Sequence, residues 1–220
     1  MSALIDLTGG APGAALLLAA IVIASLYGLL KAPQMVVNNL LRPYWLVPRR
    51  EYVTLITNAF LHADLAHLFF NAITFWAFAF DLERRIGTAP FLALYAFGLL
   101  VSDAGTWLRH RDDPDYRCLG ASGAILAVLF ASIVYFPTAS IFILPLPVPV
   151  PAPVFALAYL AYSWYASRHM RGGVNHDAHL SGAVAGLLFV ALTDSAALVQ
   201  AWQAIGSMVG SWFGSGAAAP

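Results

Sequence analysis

Residues 178–192 read AHLSGAVAGLLFVAL, an apolar run stopped by Thr193 and Asp194. His179 stands at its start, and Gly182 and Gly186 follow in the same helical register. A charged or strongly polar side chain inside a membrane span costs about 2.5–3.5 kcal/mol on insertion scales, so an ionisable group there is read first as functional. Gly182 and Gly186 form a small-xxx-small edge on which another helix backbone can lie closely. His179 sits one turn above Gly182 on that edge, so any helix packed on the glycines lies near it.

The rest of the chain fits the same solvent. Of 220 residues, 60% are hydrophobic and 10% charged, with a mean hydropathy of +0.76. Soluble domains carry about 25% charged residues. A soluble globular protein, a disordered tail and a nucleic-acid binder with a basic footprint are therefore excluded. Eleven basic residues balance eleven acidic ones, leaving no net field to recruit a charged partner. Cys118 is the one cysteine, which excludes an intramolecular disulfide framework and a cysteine-based zinc site.

A span needs about 20 apolar residues, so the length allows about six. The apolar runs are residues 14–30, 65–80, 89–101, 120–136, 154–166 and 178–192. Residues 1–13 carry Asp6 and no Lys or Arg, so the first run lacks the basic flank of a signal peptide and reads as a span. Trp76, Tyr95, Trp107, Tyr159 and Trp164 complete the shorter runs as interface residues. Pro137 ends the fourth run. The prolines at 145, 147, 149, 151 and 153 cannot be helix interior. The expected organisation is a short segment 1–13, a six-span core 14–194, and residues 195–220 as an interfacial helix and flexible tail. The first loop, residues 31–61, mixes Arg42, Arg49 and Arg50 with Met35, Val36, Leu40, Trp45 and Leu46. That suits a segment lying in the headgroup region.

Two further polar sites stand out. His67 and Asn71, four apart, share one helix face at the start of the second span. Gly120, Ala121, Ser122 and Gly123 open the fourth. Gly120 and Gly123 offer a small edge to match Gly182 and Gly186, bringing Ser122 toward His179. A serine nucleophile needs a base within hydrogen-bond reach, and histidine serves near neutral pH. Asn71 and neutral His67 supply donors without negative charge. Unpaired N–H groups in the first turn of the fourth span add more donors for an oxyanion. Each feature alone has a plainer explanation: a membrane serine bonding to its own helix, a paired histidine, a packing glycine. Their combination is what points to acyl transfer.

The chain resembles the rhomboid family of intramembrane serine proteases. The resemblance rests on His62, His67 and Asn71 in HADLAHLFFN, on Glu83 and Gly87 in ERRIG, on Gly120 to Gly123 in GASG, and on AHLSGAVAG. It covers roughly residues 51–194. It implies an all-α membrane protein, a six-transmembrane-helix rhomboid-like bundle with a water-filled cavity. It also implies Ser122 as nucleophile and His179 as general base. His67, Asn71 and the Ser122 N–H would form the oxyanion hole, and Glu83 and Gly87 would fix the turn between spans two and three. No metal or cofactor is implied. Three positions, in two places, depart from the family pattern. Val53 and Thr54 stand where a Trp-Arg pair is common, and Leu126 stands where an aromatic residue often stacks on the catalytic histidine. His176 is a second candidate base, out of register with the glycine edge.

Rival chemistries fit less well. No histidine is followed by glutamate, as the zinc type requires. Asp81, Asp103 and Asp194 are expected at span ends, and no Gly-x-Gly-Asp occurs, which argues against an aspartyl type. A catalytically inactive rhomboid-like protein that binds membrane clients is the main alternative. A transporter with His67 and His179 as a proton relay comes third. The expected partners are single-span transmembrane protein substrates and the lipid bilayer, with no nucleic acid. Residues 167–177, with Gly172 and Gly173, fit a mobile cap over the site. The expected location is a multi-pass protein of a bacterial-type plasma membrane. Nine of the eleven basic residues fall in loops one, three and five, which by the positive-inside rule would make those loops cytoplasmic. The resemblance implies the reverse, cytoplasmic termini and an outward-facing site, and that orientation is the one expected.

Overall fold

The computed structural model describes residues 8–143, 148–170 and 174–214, with side chains through residue 211. Among the described residues three helices are long and apolar enough to cross a bilayer individually: α1 (Pro12–Leu30), α5 (Leu65–Ile86) and α6 (Thr88–His110). At 1.5 Å per residue they span roughly 28–35 Å. Between α1 and α5 the chain makes three short helices, α2 (Pro33–Asn38), α3 (Pro43–Leu46) and α4 (Thr54–Thr57), and a 3-10 turn at Asn58–Phe60. Prolines at the first helical position start α1, α2 and α3, where their missing N–H goes unused.

α5 and α6 each bury one stripe. On α6 it runs Phe91, Leu94, Tyr95, Gly98, Leu99, Ser102, Asp103 and Thr106, the spacing of one helical face. Two expectations change here. Tyr95 is a core residue, edge-on to Phe75 at 5.9 Å, and not an interface anchor. Asp103 is buried inside α6, which continues nine residues beyond the apolar run, to His110; a helix carries polar residues as long as its inner face supplies their partners.

α7 (Ser122–Tyr135) is the central element. Every residue from Gly123 to Val134 is buried, and it packs on α9 (His176–Thr193), α6 and α5. After Pro137 a two-stranded antiparallel hairpin forms, β1 (Ser140–Phe142) and β2 (Pro149–Pro151). Pro149 and Pro151 alternate, so their missing N–H groups share one edge, as an edge strand requires. This small sheet modifies the all-α expectation, and Pro145 and Pro147 lie outside the described residues. α8 (Ala152–His169) follows and buries only Ala152, Ser163 and Ala166. α10 (Ser195–Gly214) leaves α9 at a bend of 112°. Asp194 makes that corner, accepting from Ala197 N and from the Tyr135 hydroxyl.

Glu83 ties the first helices together. Its buried carboxylate accepts from Gly13 N at 2.9 Å, Ala14 N at 2.6 Å and the Thr88 hydroxyl at 2.7 Å. Two of those donors are otherwise unpaired N–H groups at the start of α1. Gly87, at φ +88°, turns the chain from α5 into α6.

Candidate active site

Ser122 is the first residue of α7, so its N–H precedes the helical ladder; the first i→i−4 bond is Ile125 N to Ala121 O. Among the described residues the Ser122 N–H and Oγ have no hydrogen-bond partner. The segment leading to it is held from both sides. Cys118 exchanges two backbone hydrogen bonds of 3.0 Å with Leu41, and Gly120 N donates to Asn58 O at 3.1 Å. The first loop is thus a built scaffold for the serine. Two of the three residues that depart from the family pattern belong to it: Thr54 is buried, its hydroxyl donating to Glu51 O, and Val53 is exposed.

His67 is aimed by its own helix start. Asp64 caps α5 by accepting from His67 N at 2.7 Å. Gly120 shows how close the imidazole comes: a Cβ there would lie 2.7 Å from His67 Cε1 and 3.0 Å from Nε2. Gly120 therefore faces His67 and is not on the seam with α9. Its φ of +126° also favours glycine. Asn71, buried one turn below, donates one amide hydrogen to His67 O at 3.2 Å and keeps a second.

His62 backs His67, with ring centroids 4.9 Å apart. The Ser25 hydroxyl donates to Phe60 O, so the 2.9 Å contact between Ser25 Oγ and His62 Nδ1 is an N–H donation from the ring. Burial first, and then the neighbouring His67, push His62 down to about 3. It is neutral, and its Nε2 is buried without a partner among the described residues.

The glycine edge of α9 meets α7 backbone. Gly182 lies against Gly123 C=O and Gly186 against Ala127 C=O, each so close that a Cβ would collide with the carbonyl oxygen. Gly123 also approaches Ala178 O and Ser102. The first turns of α7 and α9, carrying Ser122 and His179, are thereby brought side by side. Both residues are half-buried. Among the described residues no hydrogen bond joins Ser122 Oγ to His179, and catalytic hydrogen bonds are often long before substrate binds. The start of α9 is also pinned to α6: Asn175 accepts from Ala178 N and donates to Thr106 Oγ1 at 3.0 Å, and Asp177 pairs with His110 at 2.9 Å. His176 begins α9, with its ring 6.0 Å from that of His179.

Several site residues escape the sequence reading. Asn58 donates to Asp103 at 2.8 Å. Both line a small cavity behind Ser122 with Ser102, Cys118 and Asn175. Burial, and secondarily the charge of Asp103, push Cys118 up to about 12, which removes its thiol as a competing nucleophile. Tyr159 of α8, expected at the interface, meets His179 Nδ1 at 3.1 Å. Gly172 and Gly173, the expected cap, lie outside the described residues.

The Rhomboid domain family matches residues 49–195. "Putative rhomboid protease YdcA" of Bacillus subtilis is 40% identical over 82 residues, covering 37% of this chain and 40% of that protein. "Rhomboid protein 1, mitochondrial" of Saccharomyces cerevisiae is 29% identical over 156 residues, covering 68% of this chain and 45% of its own. "Rhomboid protease GluP" of Bacillus subtilis is 31% identical over 86 residues, covering 39% and 16%. The chain belongs to the rhomboid family, as a helical membrane protein. It spans less than half the length of each of these relatives.

Proposed function

We propose that the chain is an intramembrane serine endopeptidase that cuts transmembrane proteins with Ser122 and His179. The supporting observation is the Gly123–Gly182 seam, which sets the first turns of α7 and α9 together with His67 against Gly120. Ser122 Oγ attacks the scissile carbonyl while His179 Nε2 takes its proton. The oxyanion that forms accepts from the Ser122 N–H, the second Asn71 amide hydrogen and neutral His67. The C–N bond then breaks, and the leaving amine takes the proton from His179. Water attacks the acyl-enzyme with His179 again as base, releasing a carboxylate and free Ser122.

The substrate follows from position. A serine at a span end reaches a chain that enters from the bilayer or its surface. Helical carbonyls are already bonded, so the cut segment must leave its helix. A single-span protein with a helix-weak segment near one membrane face fits. In this reading α1, α5, α6, α7, α8 and α9 are the six spans, with α10 along the interface, in a bacterial-type plasma membrane.

Ser122→Ala and His179→Ala should each abolish cleavage of a single-span substrate in liposomes while leaving the melting temperature unchanged. The double variant should be no worse than either, because the pair acts as a unit. His67→Ala should lower kcat about 100-fold with KM little changed. Cleavage by Ser122→Ala near the wild-type rate would refute the mechanism, and a folded wild-type protein that cleaves nothing would favour the client-binding alternative.

A further inference from the structure

We infer that Tyr159 is a positioning residue for His179, holding the imidazole in the tautomer and orientation a general base needs; this rests on the reading of Ser122 and His179 as a reacting pair. A histidine that takes a proton at Nε2 must carry its own hydrogen on Nδ1. That hydrogen needs an acceptor, and in a buried site a missing one favours the wrong tautomer. No carboxylate fills the role. α7, on which α9 packs through Gly182 and Gly186, carries no charged residue, and Leu126, one turn below Ser122, is aliphatic. The acceptor comes from α8: Tyr159 Oη stands 3.1 Å from Nδ1. With Nδ1–H donating, Oη is the acceptor and the phenol keeps its hydrogen.

The phenol is held. Its ring stacks on Phe155, one turn earlier on α8, at 5.5 Å and 26°, and tilts against fully buried Phe130 of α7 at 5.9 Å. Leu126 and Ala183 belong to the same apolar cluster. Ser163, one turn further along α8 on the same face, is fully buried without a hydrogen-bond partner among the described residues. It can take the phenol's own hydrogen, extending the order Ser122, His179, Tyr159, Ser163 across three helices. The other titratable rings facing His179 are His176 on its own helix and His67 from α5. Both are bases, and neither offers an oxygen acceptor.

Tyr159→Phe removes one oxygen and keeps the ring, so it isolates the hydrogen bond. Wild type and variant are compared in liposomes for kcat and KM on a single-span substrate, for the rate at which a fluorophosphonate labels Ser122 over about pH 5–9, and for melting temperature. Tyr159→Phe should lower kcat and the labelling rate about tenfold, with KM and melting temperature unchanged. The acid limb of its rate profile should move to lower pH, because the imidazolium loses an acceptor. An unchanged kcat and pH profile would overturn the proposal, as would a loss matched by a lowered melting temperature and an unmoved pH profile. A wild-type protein that neither cleaves nor labels would overturn the Ser122–His179 pair itself, and Tyr159's role with it.

Discussion

At Gly120 two independent demands meet, a φ of +126° and a histidine ring where a side chain would begin. Gly120→Ala should therefore lose at least about 1–2 kcal/mol from backbone strain, and displacing His67 should also slow the chemistry. Gly206→Ala in α10 is the control: nothing lies within 4 Å of its Cβ position, so about 1 kcal/mol of helix propensity can only be gained. Chemical unfolding in detergent measures both; equal effects would contradict the Gly120 account. His67, Asn71, Ser122 and His179 stand out in the sequence as candidates because polar atoms in apolar runs advertise themselves. Tyr159 is not, because an amphipathic ring near a span end reads equally well as an interface anchor. Asp103 is missed because the hydropathy drop after Val101 marks the end of an apolar run, while the helix ends at His110. Asn58 and Asn175 act through contacts from distant loops, which spacing does not reveal.

Among the elements, α5 joins the first helix to the rest of the bundle. Glu83 caps α1, and Thr88 of α6 donates to the same carboxylate. The sequence motif implies a role for Glu83 in the turn between α5 and α6; the contact with the start of α1, some seventy positions away, needs the fold. Glu83→Ala strands two buried N–H groups and should destabilise by about 3 kcal/mol. Glu83→Gln should lose less, since its amide oxygen still accepts. Melting temperatures in one detergent rank the three proteins, and an unchanged Glu83→Ala would contradict the cap. The hairpin β1–β2 is invisible to hydropathy for another reason: alternating prolines exclude helix without specifying an edge strand.

For the molecule as a whole, sequence composition settles the solvent, and the order of motifs settles the family, but orientation is left to two opposed arguments. By sequence, nine of the eleven basic residues fall in loops one, three and five, against Arg84 and Arg85 between spans two and three. A site that meets substrates on a given face constrains orientation more than a charge count, so cytoplasmic termini and an outward-facing Ser122 are the expected orientation. In a Cys118→Ala background, Asp112→Cys should react with an impermeant thiol reagent on intact cells and Arg84→Cys should not. The reverse would establish the positive-inside orientation.

The central claim is that Ser122 is an activated nucleophile and His179 its base. Treat the folded protein in liposomes with a fluorophosphonate and map the adduct by mass spectrometry. The account predicts one adduct, on Ser122, formed at a rate that His179→Ala abolishes without unfolding the protein. A folded wild-type protein that takes no adduct, or takes it on another residue, or labels equally fast without His179, would contradict it.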